Sequence, residues 1–245
     1  MTLKVKPSQV RPVALLRRCC WRGQDYPVYG LDMKVNGNYQ ERGYAHIEGL
    51  IPPEVATAFL RQVKTDLPQL TQQFLSHAPI IRKTSVDVYA NEYPPMLQFL
   101  WGLTPAMREL TGRDLLPTYN YFRLYRRDDI CRVHSDREAC EHSLSLTLAY
   151  SDGEVWPLEI GADPIDEPED IVDDFAGKPF TSIAMQPGDA VLYRGVHHRH
   201  GRIAPNPNRW SAHMFLHWVD RDGPHAGQAF DVMAGPTKAA DGKVD

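Results

Sequence analysis

After Pro117 the chain stops repeating its apolar residues every three or four positions and begins to alternate them every two. Leu144, Leu146, Leu148 and Tyr150 fall on one side of an extended segment, and Ser143, Ser145, Thr147 and Ala149 on the other. Such a strand must bury one face. Earlier, Tyr119, Tyr121, Arg123 and Tyr125 share a face opposite Phe122 and Leu124, and Asp128-Asp129 reads as the turn into a short strand carrying His134 and Asp136. Further strands are expected over 182–185, 190–193 and 210–218, with a break at Pro187-Gly188-Asp189.

Upstream, the period is helical. Pro52-Pro53-Glu54 precedes Val55, Ala56, Phe59, Leu60 and Val63, and a second helix over 96–110 stops at Thr111-Gly112. Short strands following helices predict a mainly β fold with flanking helices, a double-stranded β-helix or jelly roll of the cupin type. At 245 residues it is read as one domain, 1–245. Residues 1–116 would supply an N-terminal arm and supporting helices, 117–220 the core, and 221–245 a tail.

Composition narrows the function. A net charge of −4 and a pI near 6.2 give no basic footprint for nucleic acid. The basic stretch Arg11, Arg17, Arg18 and Arg22 reads as a solvated arm. Cys19, Cys20, Cys131 and Cys140 form no C-x-x-C pair, which suits a reducing compartment. Neither a signal peptide nor a membrane-length apolar run is evident, so a cytoplasmic protein is expected. Residues 153–179, rich in Asp, Glu, Pro and Gly, read as a long surface excursion, either a lid or a plain solvated loop.

The chemistry is concentrated in His134-Ser135-Asp136 and in the cluster His197-His198-Arg199-His200. Residues i and i+2 of an extended segment project together, so His134 and Asp136 can share one ion while a distant strand supplies the third ligand. His200 is preferred over His198 because Gly201 follows it and because of its spacing to Arg209. His197 and His198 are assigned surface or supporting roles. Two imidazoles and one carboxylate suit a non-haem Fe(II) centre with three open positions. A guanidinium and a hydroxyl, Arg209 and Ser211, could hold a co-substrate carboxylate.

As a set, His134-x-Asp136, His200 and Arg209-x-Ser211, with Pro187-Gly188-Asp189-Ala190-Val191-Leu192-Tyr193 before the distal histidine, resemble the Fe(II)/2-oxoglutarate-dependent dioxygenases over residues 117–220. The resemblance implies Fe(II) on His134, Asp136 and His200, and 2-oxoglutarate and O2 as co-substrates. It implies Arg209 and Ser211 on the far carboxylate of 2-oxoglutarate, with Arg202 as a rival anchor. Similarity to the prolyl-hydroxylase branch adds Tyr125 and Tyr150 as co-substrate contacts, unless they merely line the barrel. Arg123 and Arg137 could bind an acidic substrate group or pair with the acidic loop.

The implied reaction is hydroxylation of an unactivated C–H bond, with succinate and CO2 released; desaturation or ring formation, which begin from the same hydrogen abstraction, stay open. Related halogenases lack the carboxylate that Asp136 supplies here. The expected substrate is a small molecule, an amino acid or its derivative, with a peptidyl residue as the alternative. A cupin-like metal enzyme without 2-oxoglutarate and a non-catalytic binding module are the rival classes.

Overall fold

The computed structural model describes residues 33–231 except Pro168, together with the backbone of residues 19–21 and 24–26. Arg11, Arg17, Arg18 and Arg22 of the basic arm and most of the tail therefore lie outside the described residues.

Two antiparallel sheets face each other. The larger has eight strands in the order Lys34–Asn36, Tyr44–Glu48, Ala190–Tyr193, His142–Tyr150, Trp210–Asp220, Leu115–Arg126, Ser85–Tyr89 and Leu75–Ser76. The smaller has four, ordered Phe180–Ile183, Leu158–Gly161, His200–Arg202 and Cys131–His134. Strands that are distant in sequence lie side by side, as a jelly roll requires.

The alternation read from the sequence sorts into two environments. Leu144, Leu146 and Leu148 join Phe122, Met214, Leu216 and Trp218 on the outer face of the large sheet. There they pack against Phe59 and Val63 of the helix Pro53–Asp66 and Leu100 and Met107 of the helix Leu97–Thr111. Each such side chain contributes roughly 1.5–3 kcal/mol when fully buried. Gly112, in the left-handed region at φ 68, closes the second helix by donating its N–H to the Arg108 carbonyl. Trp218 Nε1 donates to Thr104 Oγ1 at 2.9 Å, satisfying the one polar atom it carries into this layer.

The opposite face of the same strands is polar. Cross-strand register aligns His217 with Ser143, Phe215 with Ser145 and Tyr121, and His213 with Thr147 and Arg123. The space between the sheets thus holds a row of polar groups on these strands, flanked by two smaller buried clusters, one around Leu158, Ile160, Val191 and Tyr193 and one around Tyr121, Tyr125, Trp156 and Phe215.

Three expectations are corrected. Strands before residue 117 contribute to the large sheet, beyond the helices assigned there. The acidic segment is not pure loop: Leu158–Gly161 is an interior strand of the small sheet, Val172 bridges Val133, and Glu169 pairs with Arg199 at 2.6 Å. Arg123 and Arg137 pair with Asp87 and Asp231, not with that segment. Among the described residues no helix is long and apolar enough to cross a membrane.

Candidate metal centre

His134 ends one strand of the small sheet and His200 begins its neighbour, and the two residues are paired directly across the ladder. Their ring centroids are 4.4 Å apart. The strands approach so closely that a Cβ on Gly201 would lie 2.7 Å from the Cys131 carbonyl oxygen. Glycine at this position serves that contact rather than relaxing the backbone beside His200. The strand itself stops at His134, and Asp136 lies just beyond it, its N–H donating to the Gly195 carbonyl at 2.9 Å. Asp136 Oδ1 is 3.6 Å from His134 Nε2 and 3.5 Å from His200 Nε2.

Each ligand atom is aimed by its other end. His134 Nδ1–H donates to the Arg132 carbonyl at 2.7 Å and His200 Nδ1–H to the His198 carbonyl at 2.9 Å, which leaves both Nε2 lone pairs facing the carboxylate. Ser143 Oγ donates to Asp136 Oδ2 at 3.0 Å, and His217 Nδ1 lies 2.9 Å from the same hydroxyl, so Oδ1 is the oxygen turned toward the imidazoles. Burial alone would raise the Asp136 carboxyl, but the His200 and His134 imidazoles hold it well below the usual carboxylate range. For His134, burial and the neighbouring His200 push the imidazole below its ordinary value, toward the neutral form a metal needs. These donors fit an Fe(II) ion with open positions: two imidazole nitrogens and one ionised oxygen, all within 4.8 Å of one another, with His200, which burial would lower but Asp136 holds above its ordinary value, giving up its proton to the metal.

Gly195 completes the cradle. A Cβ there would stand 2.6 Å from Ser143 Oγ and closer still to Asp136 Oδ2 and the Cys140 carbonyl. Gly195→Ala is therefore expected to displace Asp136 and weaken Fe(II) binding by about 10–100-fold, the range typical of a lost orienting contact. Calorimetric titration of the metal-free variant beside the wild type measures it; unchanged affinity would show that Gly195 does not set the carboxylate.

Farther along the barrel, Arg202 shares its short strand with His200 and is buried. Its guanidinium donates to the Trp156 carbonyl, lies over the Trp156 ring at 5.0 Å, and donates through Nη2 to His213 Nδ1 at 3.2 Å. An arginine can only donate, so His213 Nδ1 accepts and the proton sits on Nε2. Burial and Arg202 together hold His213 well below the usual histidine range, hence neutral. Tyr125 and Tyr150 stand around it, with ring centroids 5.9 and 5.8 Å away. Tyr150 Oη lies within hydrogen-bond reach of the Trp156 and Met185 carbonyls, which commits its hydroxyl to backbone.

Arg209 is placed elsewhere. Its side chain is 71% exposed and its Nε pairs with Asp152 at 2.9 Å. It precedes Trp210, the first residue of the strand whose inward positions are Ser211, His213, Phe215 and His217. Ser211 is buried, but its hydroxyl donates to Asn206 Oδ1 at 2.8 Å. The structure thus brings His134, Asp136, His200, Tyr125 and Tyr150 to the barrel interior and leaves Arg209 on the surface. Ser143, His213 and His217, absent from the residues singled out in the sequence, lie on the inward face that the two-residue period defines. His198 supports His200 through its carbonyl, while its own Nδ1 lies 3.2 Å from the Gly161 carbonyl.

No protein-family model matches the chain, and no curated protein sequence matches it significantly. Solved structures do. The non-haem α-ketoglutarate-dependent carbocyclase SnoK from nogalamycin biosynthesis aligns over 75% of this chain and 82% of its own, with a TM-score of 0.60 and 13% identity. HygX from Streptomyces hygroscopicus, solved with nickel and 2-oxoglutarate bound, aligns over 74% and 84%, with a TM-score of 0.55 and 11% identity. A Pseudomonas putida prolyl-4-hydroxylase aligns over 73% and 94%, with a TM-score of 0.50 and 15% identity. The fold is the one shared by these Fe(II)/2-oxoglutarate-dependent oxygenases.

Proposed function

We propose that the protein is a non-haem Fe(II)- and 2-oxoglutarate-dependent oxygenase that hydroxylates an unactivated C–H bond of a small molecule. The observation that carries this is the convergence of His134, Asp136 and His200, each oriented by a second hydrogen bond, at a polar barrel interior. When bound, Fe(II) with 2-oxoglutarate and O2 supplies an oxidant that removes hydrogen from an unactivated carbon, the keto acid leaving as succinate and CO2. Asp136 fills the position that a halide would otherwise take, which supports hydroxylation.

The chain's own part is binding and orientation. Along the strand, Arg202 lies two residues past His200, about 6.6 Å deeper, a reach suited to a five-carbon dicarboxylate. We assign the far carboxylate of 2-oxoglutarate to Arg202, assisted by the His213 Nε2–H and by Arg123. Arg123 spends Nε and Nη2 on Asp87, and its buried Nη1 has no partner; His213 Nε2 is likewise buried and unpartnered. Orphaned donors of this kind cost about 1–3 kcal/mol each unless a ligand satisfies them. Two guanidiniums and one aspartate leave a single positive charge for that carboxylate. Ser143 holds the iron-binding carboxylate in place, and Tyr89, Tyr119 and Tyr121 stack into an aromatic wall with centroid spacings of 4.9–6.2 Å.

A small-molecule substrate is supported by HygX, which has also been solved with hygromycin B bound. An amino acid or its derivative stays within this class. Substrate-stimulated succinate formation across a metabolite panel tests the activity.

The anchor is tested separately. Arg202→Ala is expected to raise the KM for 2-oxoglutarate by about 10–100-fold, the loss of one charge-assisted contact, and Arg202→Lys by less. Arg209→Ala is expected to leave it unchanged. The opposite ranking would return the anchor to Arg209.

A further inference from the structure

On the other side of the sheet from the proposed iron centre, Glu141, His142 and Asp220 present ligand atoms within 4.8 Å of one another. His142 and Asp220 come from the two central strands of the large sheet, where His142 is paired with Trp218, two residues before Asp220. His142 is 5% exposed. Its Nδ1 bonds the Tyr39 hydroxyl at 2.6 Å, and its Nε2 stands 3.2 Å from Asp220 Oδ1. Yet neither Nε2 nor Oδ1 makes a hydrogen bond, although both are fully buried.

That combination has a physical meaning. In the tautomer that carries its proton on Nδ1, shared with the Tyr39 hydroxyl, His142 Nε2 turns a lone pair toward Asp220 Oδ1; the other tautomer would set an N–H 3.2 Å from that oxygen without hydrogen-bond geometry. Two donors about 2.0–2.1 Å from one tetrahedral ion stand about 3.3 Å apart, close to the separation seen here. Glu141 is already fixed by accepting the Asp220 N–H through Oε2 at 2.9 Å. Arg113 reaches only the other oxygen of Asp220, Oδ2, at 3.6 Å, and is itself largely exposed. A cavity of about 420 Å³, lined by Tyr39, Gln40, Arg113 and Arg194 among others, opens beside the three residues and gives water access to the remaining positions.

We propose that Glu141, His142 and Asp220 form a second divalent-cation site, suited to zinc, that staples the two central strands outside the barrel. One nitrogen and two carboxylate ligands with an open position match zinc-type coordination. The site shares no ligand with the His134, Asp136 and His200 centre and does not depend on its assignment. Because His142 precedes Ser143 in the chain, the staple would stiffen the residue that orients Asp136.

Metal-free protein titrated calorimetrically with Zn2+ tests this. The wild type is expected to bind two equivalents, His200→Ala one, and His142→Gln one, the two variants losing different equivalents. Should a variant fold poorly, anomalous diffraction from zinc-soaked wild-type crystals decides: a peak about 2.0–2.2 Å from His142 Nε2 and Asp220 Oδ1 is expected. A single equivalent in the wild type, a second equivalent that survives both His142→Gln and Asp220→Asn, or no anomalous peak there would overturn the proposal.

Discussion

Replacing Asp136 with alanine is expected to abolish turnover and to weaken Fe(II) binding by roughly two to three orders of magnitude. The carboxylate is the only anion of the three-residue centre, and it faces both imidazoles through the same oxygen. Removing one partner of a buried charge-paired set costs about 3–5 kcal/mol, and about 1.4 kcal/mol is tenfold in affinity. The fold should persist, because Asp136 lies after the strand and Ser143 retains His217 and the Cys140 carbonyl as partners. Metal titration of the variant, with its circular-dichroism spectrum as the control for folding, checks this. A folded Asp136→Ala protein with wild-type iron affinity would remove Asp136 from the site.

Asp87→Ala should be the most destabilising single change in the barrel. Asp87 and Arg123 are both 2% exposed and joined bidentately, at 2.7 Å through Nε and 2.6 Å through Nη2. Without Asp87 the guanidinium is left charged inside the barrel, at a cost of about 3–5 kcal/mol. Burial would push the Asp87 carboxyl up, but Arg123 holds it below its ordinary value. Its contribution is therefore complete above the unfolded carboxylate value of about 3.9 and is lost as pH falls through the lower folded one. Denaturant unfolding at pH 7 and pH 3 measures both effects, with the variant closer to wild type at the lower pH. The double replacement Asp87→Leu with Arg123→Met should regain much of the stability, since a buried pair can be exchanged for apolar packing. It should still bind 2-oxoglutarate poorly, because Arg123 Nη1 is gone. Stability and co-substrate affinity recovering together would show that Arg123 has no part in the co-substrate site.

Legibility in the sequence followed the strength of local periodicity. The strand His142–Tyr150 alternates over nine residues, and Trp210–Asp220 runs for eleven, so both were found close to their observed bounds. Lys34–Asn36 and Leu158–Gly161 are only three and four residues long, too short for a period to stand out, and the second is embedded among acidic and proline residues. The candidate ligands are readable as a spacing of two, although the strand ends at His134 and Asp136 is held beyond it by the Gly195 carbonyl. Distance from His200 along the chain favours Arg209, but the face a residue occupies on its strand decides what it reaches, and Arg209 stands before the strand, exposed. Alternation along a strand points from His200 to Arg202, and from Ser211 to His213 and His217. What no pattern in the sequence conveys is pairing across the barrel: Arg123 with Asp87, or Ser143 with Asp136.

The most direct measurement is the absorption spectrum of the anaerobic protein titrated with Fe(II) and then 2-oxoglutarate. A charge-transfer band that appears only when both are present, is missing in Asp136→Ala, and needs more 2-oxoglutarate in Arg202→Ala is the expected result. A correctly folded wild-type protein that shows no band at any concentration of either component would contradict the iron and 2-oxoglutarate assignment.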